Sequence, residues 1–92
     1  MDKQLLQQIV ETFGTENLTA QGEIYAKVLL HPDNSIAVYF INAHEISEQL
    51  QQRSYEWDPR LHAWVKLVKT IAEVQAETRG YPVTAAALSA IH

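Results

Sequence analysis

Cysteine is absent from the 92-residue chain. That absence excludes disulfides, thiolate zinc sites and a cysteine nucleophile together. Glycine and proline number three each, and the glycines (Gly14, Gly22, Gly80) are dispersed, so there is no glycine-rich loop to cradle a phosphate. No apolar run is long enough to span a bilayer, and no signal peptide is recognisable, so the expected location is cytoplasmic. Ser35, Ser47, Ser54 and Ser89 lack the Gly-x-Ser-x-Gly setting of an activated serine. His31, His44, His62 and His92 have no histidine four residues on and no His-Glu-x-x-His pattern, leaving only a pair assembled across the fold from His44 and His62. The sequence therefore offers no reason to expect catalytic residues, a cofactor, a metal or a small-molecule ligand.

Charge of one sign is also limited. The formal net charge is −4, which works against general attraction to nucleic acid or to an anionic membrane. The distribution is uneven: from Arg53 to Lys69 four basic residues (Arg53, Arg60, Lys66, Lys69) stand against two acidic ones (Glu56, Asp58), a local excess of +2. Tyr55 and Trp57 lie beside them, and with His62 they make a candidate basic and aromatic stripe for nucleic acid.

What the chain has in quantity is apolar residues, 47% of the total. That suffices for the core of one globular domain over residues 1–92, although a chain this short buries only about 60–65% of its unfolded surface. Asp2 caps an expected first helix (about 2–13) whose Leu5, Leu6, Ile9, Val10 and Phe13 recur at helical spacing before Gly14. The period then changes to two. Strands are expected over about 18–31 and 35–42, joined by a turn at His31-Pro32-Asp33-Asn34-Ser35 in which Asn34 tolerates the left-handed conformation. Pairing Leu30 with Ile36 sets Val28 against Val38 and Ala26 against Phe40. Asn42 and Glu45 are spaced as a capping box for a helix over about 43–52, and Thr84 caps an alanine-rich tail helix over about 84–91.

Residues 57–80 read most simply as one long amphipathic helix, about 59–79. Asp58 can cap it, Pro59 suits its first position, and Gly80 with Pro82 ends it. Its charges run against the helix dipole, however: Arg60, Lys66 and Lys69 come early, Glu73 and Glu77 late. A second reading comes from Trp57, Asp58 and Pro59, then four residues, then Trp64 and Val65. This nine-residue spacing resembles a β-hairpin found in several nucleic-acid-processing and mobile-element proteins, where a turn at Asp-Pro brings two aromatic rings together across strands. That resemblance implies a second hairpin at about 55–67 that extends the sheet.

The fold class is thus α+β, with a β-hairpin packed against helices. Both faces of that hairpin are largely apolar, and a lone two-stranded hairpin needs covering. The expected function is that of a small non-catalytic interaction or regulatory protein, working as a homodimer or on a protein partner. The candidate surface comprises Tyr25, Leu29 and Tyr39 with Lys66, Lys69, Glu73 and Glu77. In the helix reading, two copies packed antiparallel about Ile71 would join the lysines of one to the glutamates of the other. The alternative is a nucleic-acid-binding accessory protein using the 53–69 stripe.

Overall fold

A computed structural model describes residues 2–15 and 23–85. The beginning of the expected first strand, residues 86–91 of the expected tail helix and His92 lie outside the described residues. Helix α1 (Lys3–Phe13) is followed by strands β1 (Tyr25–Leu30) and β2 (Ile36–Ile41). A short 3-10 turn (His44–Ile46) leads into α2 (Ser47–Gln52), then β3 (Glu56–Asp58), β4 (Ala63–Val68), α3 (Ile71–Glu77) and β5 (Val83–Ala85). The five strands form one mixed sheet in the order β3-β4-β2-β1-β5.

The first helix and hairpin form as the periodicities require. Asp2 accepts hydrogen bonds from the backbone N–H groups of Gln4 and Leu5 at 3.0 and 3.2 Å, satisfying two of the donors a helix start leaves open. Gly14 ends α1 at φ 74°, and its N–H donates to Val10. In the turn between β1 and β2, Asn34 has φ 70°, and Asp33 accepts from both the N–H and the hydroxyl of Ser35. The register pairs Leu30 with Ile36, Val28 with Val38 and Ala26 with Phe40. The box expected at Asn42 and Glu45 does not form. Asn42 instead turns left-handed at φ 60° and donates from its amide to the carbonyl of Glu23.

The expected long helix over 59–79 is replaced by the alternative, a second hairpin followed by a short helix. Asp58 does accept from two successive backbone N–H groups, those of Arg60 and Leu61, at 2.9 and 3.3 Å. His62 then adopts φ 51°, and the chain reverses instead of winding on. The first turn of a helix and a tight reverse turn share nearly the same backbone, so the Asp-Pro start signal fits both. Two non-local pairings favour the strand. Trp57 and Trp64 pair across the new hairpin with ring centroids 5.5 Å apart, and β4 pairs with β2 over six residues from Ile36↔Val68 to Ile41↔Ala63. The charge order is resolved as well. Helix α3 begins only at Ile71, with Glu73 in its first turn, where an acid belongs. Thr70 caps it, accepting from the Glu73 N–H at 3.1 Å and donating its hydroxyl to the Glu73 carboxylate at 3.2 Å.

The expected tail helix is corrected at its first two residues. Thr84 and Ala85 belong to β5, which lies parallel to β1. The N–H of Ala26 donates to Pro82, while that of Ala85 turns outward to the carbonyl of Gly14 at 2.7 Å. Alanine's helix preference amounts to tenths of a kcal/mol per residue, and pairing with the otherwise open edge of β1 overrides it.

One side of the sheet carries the core. Ala26, Val28, Leu30, Ile36, Val38, Phe40, Trp64 and Val68 face Ile9 of α1, Leu50 of α2 and Val74 of α3. The capping role of Thr70 gives a direct test of where the last helix starts. Thr70→Ala should lower unfolding free energy by about 1 kcal/mol in urea denaturation, and Thr70→Ser should recover most of it. A neutral Thr70→Ala would contradict a helix start at Ile71.

Candidate functional site

Opposed residues in a ladder point to the same face, so the registers define what the other side of the sheet displays. Three rows cross it. The first joins Leu67, Ala37 and Leu29; the second Glu56, Val65, Tyr39, Lys27 and Thr84; the third Asp58, Ala63, Ile41 and Tyr25. None of Tyr25, Leu29, Tyr39, Ile41, Val65 and Leu67 belongs to the core packed by the helices. Among the described residues no helix lies over this face. Leu67 is 56% exposed, and the other five are half-buried by their neighbours in the sheet. Ala37 and Ala63, by contrast, are fully enclosed at 0% and 1%.

Toward β3 the face deepens into an open depression of about 770 Å³, lined among others by His31, Tyr39, Glu56, Asp58, Val65 and Leu67. Burial, with a contribution from the negative charge of Asp58, pushes the Tyr39 hydroxyl above its ordinary value. Tyr39 is therefore a neutral hydrogen-bond donor at physiological pH. The face combines aromatic and aliphatic groups with Lys27, Glu56 and Asp58.

The charged residues singled out in the sequence behave differently. Glu77, near the end of α3, joins three elements. Its Oε1 accepts from Arg53 at 2.9 Å and from the Tyr55 hydroxyl at 2.8 Å, and its Oε2 accepts from Lys66 at 3.2 Å. Arg53 also donates to the Glu77 backbone carbonyl at 3.2 Å, closing the end of α3 onto the loop after α2. The Lys66 ammonium lies 5.6 Å from the Tyr55 ring centroid, within range of a cation–π contact. Burial would raise the Glu77 carboxyl, but the hydrogen bonds from Tyr55 and Lys66 and the charges of Arg53 and Lys66 outweigh it and hold the group below its ordinary value. Burial, together with the bond to that carboxylate, drives the Tyr55 phenol far upward.

These bonds dissolve the antiparallel helix pairing expected about Ile71. Lys66 lies on β4 and meets Glu77 of its own chain, while Glu73 is engaged by Thr70. Lys69 is exposed between β4 and α3. The 53–69 stripe is likewise divided. Tyr55 is 4% exposed, so its ring is not offered to a base, and Arg53 and Lys66 share Glu77. Arg60 and His62 remain exposed in the hairpin turn, with Trp57 48% exposed beside them and 6.3 Å from His62 between ring centroids. His62 therefore packs on Trp57, and among the described residues no group of three or more His, Asp or Glu could hold a metal ion. No described helix is long and apolar enough to cross a membrane.

Sequence reasoning missed two features of this region. The Thr70 cap, with Glu73 three residues on, was visible as a spacing. The open sheet face depended on knowing that 63–68 is a strand. No protein-family model matches the chain, and comparison with curated proteins and with solved structures finds no significant match.

The Glu77 cluster predicts how stability depends on pH. A carboxyl held below its ordinary 4.5 in the folded state stabilises that state fully above 4.5 and loses the contribution as pH falls through the lowered value. Glu77→Gln should cost about 1–3 kcal/mol at pH 7. Urea denaturation of the two proteins from pH 7 downward should show the gap narrowing only below pH 4.5. A gap that is constant across that range would remove the carboxylate from the account.

Proposed function

We propose that the protein is a small, non-catalytic, cytoplasmic interaction or regulatory protein, and that it binds another polypeptide chain through the face of its sheet that no described helix covers. The observation that carries this reading is the row structure of that face. Tyr25, Tyr39, Ile41, Leu29, Val65 and Leu67 stand together on a side no described helix covers. An antiparallel sheet can leave one face to water, but such a face normally alternates to polar residues. Here it remains apolar and aromatic, and a contiguous apolar patch on a small protein marks an interaction site. The sheet edges offer less. Strands β3 and β5 are three residues each, and the outward N–H of Ala85 is already taken by Gly14. Edges that short limit strand addition.

Nucleic-acid binding through the 53–69 stripe draws less support. Two of its four strongly basic residues are held by Glu77, and one of its two aromatic residues is buried. Its remaining members, Arg60, Lys69, His62 and Trp57, could contribute phosphate contacts and one stacking surface.

Photo-crosslinking separates the two readings. With p-benzoylphenylalanine in place of Tyr39, the protein should form adducts with polypeptide in its native cell. The same group in place of the exposed Gln8 on α1 should form none. Equal adduct formation at both positions, or none at Tyr39, would remove the sheet face from this role. Adducts to nucleic acid from a Trp57 probe would favour the other reading.

A further inference from the structure

The charges on the open face go further than its apolarity, because they select the occupant. We infer that the face binds a second copy of this chain, face to face, about a two-fold axis that lies in the interface parallel to the strands and passes between β4 and β2. This rests on the proposed use of the sheet face and specifies its partner.

Registry limits how two such faces can pair. Two sheets packed face to face keep their strands within about 30° of one another. A two-fold axis in the interface must then run close to parallel or close to perpendicular to the strands. In the order β3-β4-β2-β1, an axis parallel to the strands and midway between β4 and β2 sets β3 of one copy over β1 of the other. Each row maps onto itself. Glu56, at the β3 end of the middle row, then lies opposite Lys27, at its β1 end, and the symmetry makes this contact twice. In the third row Asp58 comes opposite Tyr25, whose hydroxyl can donate to it. A perpendicular axis through the middle row instead sets Lys27 on Lys27 and Glu56 on Glu56. Like charges directly opposed repel, so charge separates the two arrangements.

Shape is compatible with pairing of copies but does not choose the axis. In either arrangement Leu67 and Ile41 of one copy come over the positions of Ala37 or Ala63 of the other, where the larger side chains around those enclosed alanines make the surface. Within one chain Lys27 and Glu56 are separated by two intervening strands, about 14 Å of sheet, and cannot pair with each other. The complementarity is available only between chains. Strands β1, β2 and β4 are six residues long and β3 is three. Together they present a face of no more than about 20 by 20 Å, below the standard size of a specific interface, so the expected dimer is weak and concentration-dependent.

Charge swapping tests this in sedimentation equilibrium on the full chain. Lys27→Glu alone and Glu56→Lys alone should each weaken self-association about tenfold or more, because each creates two like-charge contacts. Mixing the two variants should restore association to near the wild-type value, since both contacts in the mixed dimer are again of opposite sign. The variant carrying both substitutions in one chain should also self-associate, which guards against misfolding of either single variant. Single variants that leave association unchanged, or that are restored neither by mixing nor in the double variant, would overturn the parallel two-fold. A wild-type chain that stays monomeric into the high micromolar range would overturn the second copy as occupant. Crosslinks from position 39 to a different polypeptide would then show that the wider reading of the face survives.

Discussion

The pairing of β4 with β2 is the constraint on which the rest of this structure depends. It places Trp64 and Val68 in the helix-packed core, Val65 and Leu67 on the open face, and Lys66 where Glu77 can reach it. Each assignment follows from the period of two, and a slip of one residue would exchange them all. The turn at Asp58–His62 sets the register of β3 on β4. With two residues capped by Asp58 and His62 left-handed, Ala63 emerges opposite Asp58 and Trp64 opposite Trp57. Trp57 and Trp64 then pack edge to face at the sheet edge and hold a strand of only three residues.

Glu77 fastens the helical layer to that sheet. One carboxylate is bonded to the loop after α2 through Arg53, to the start of β3 through Tyr55 and to β4 through Lys66. A charged group placed this close to the core is tolerable because its acceptor positions are filled and two cations balance it. No buried side-chain nitrogen or oxygen among the described residues lacks a hydrogen-bond partner. The polar side chains that look from the sequence like a binding stripe serve this junction first. Arg53, Tyr55 and Lys66 are structural before they are anything else.

The parts of the fold legible in sequence were those in which a local signal has one structural meaning. Asp2 and Gly14 bound a helix, and Asn34 makes a turn between strands whose alternation fixes their register. Asp58-Pro59 failed because its meaning is double: the same two hydrogen bonds begin a helix or close a turn. What decided it was non-local, the availability of β2 as a neighbour and of Trp57 as a partner for Trp64. The alanine-rich start of the tail failed for the same reason, since Thr84 and Ala85 take the edge of β1. The candidate site was legible in half. Tyr25, Leu29, Tyr39 and Ile41 fall on one apolar face from the first hairpin alone, but Val65 and Leu67 join them as one surface only once β4 is a strand.

The reversed charge order across residues 60–77 points to a partner only while one helix is taken to contain it, and its resolution changes what such an anomaly means. Bases early and acids late oppose a helix dipole only if one helix contains them all. Once the helix starts at Ile71, Glu73 stands at its favourable end, and Lys66 belongs to a strand that lies against Glu77. The anomaly was a sign of a misplaced boundary, not of an interface. The case for a partner rests on a different asymmetry. The sheet buries one face under three helices and leaves the other apolar, with Lys27 and Glu56 at opposite ends of one row. Charges satisfied within the chain explain the fold; Lys27 and Glu56, which no ion pair among the described residues engages, are what the proposed second copy rests on.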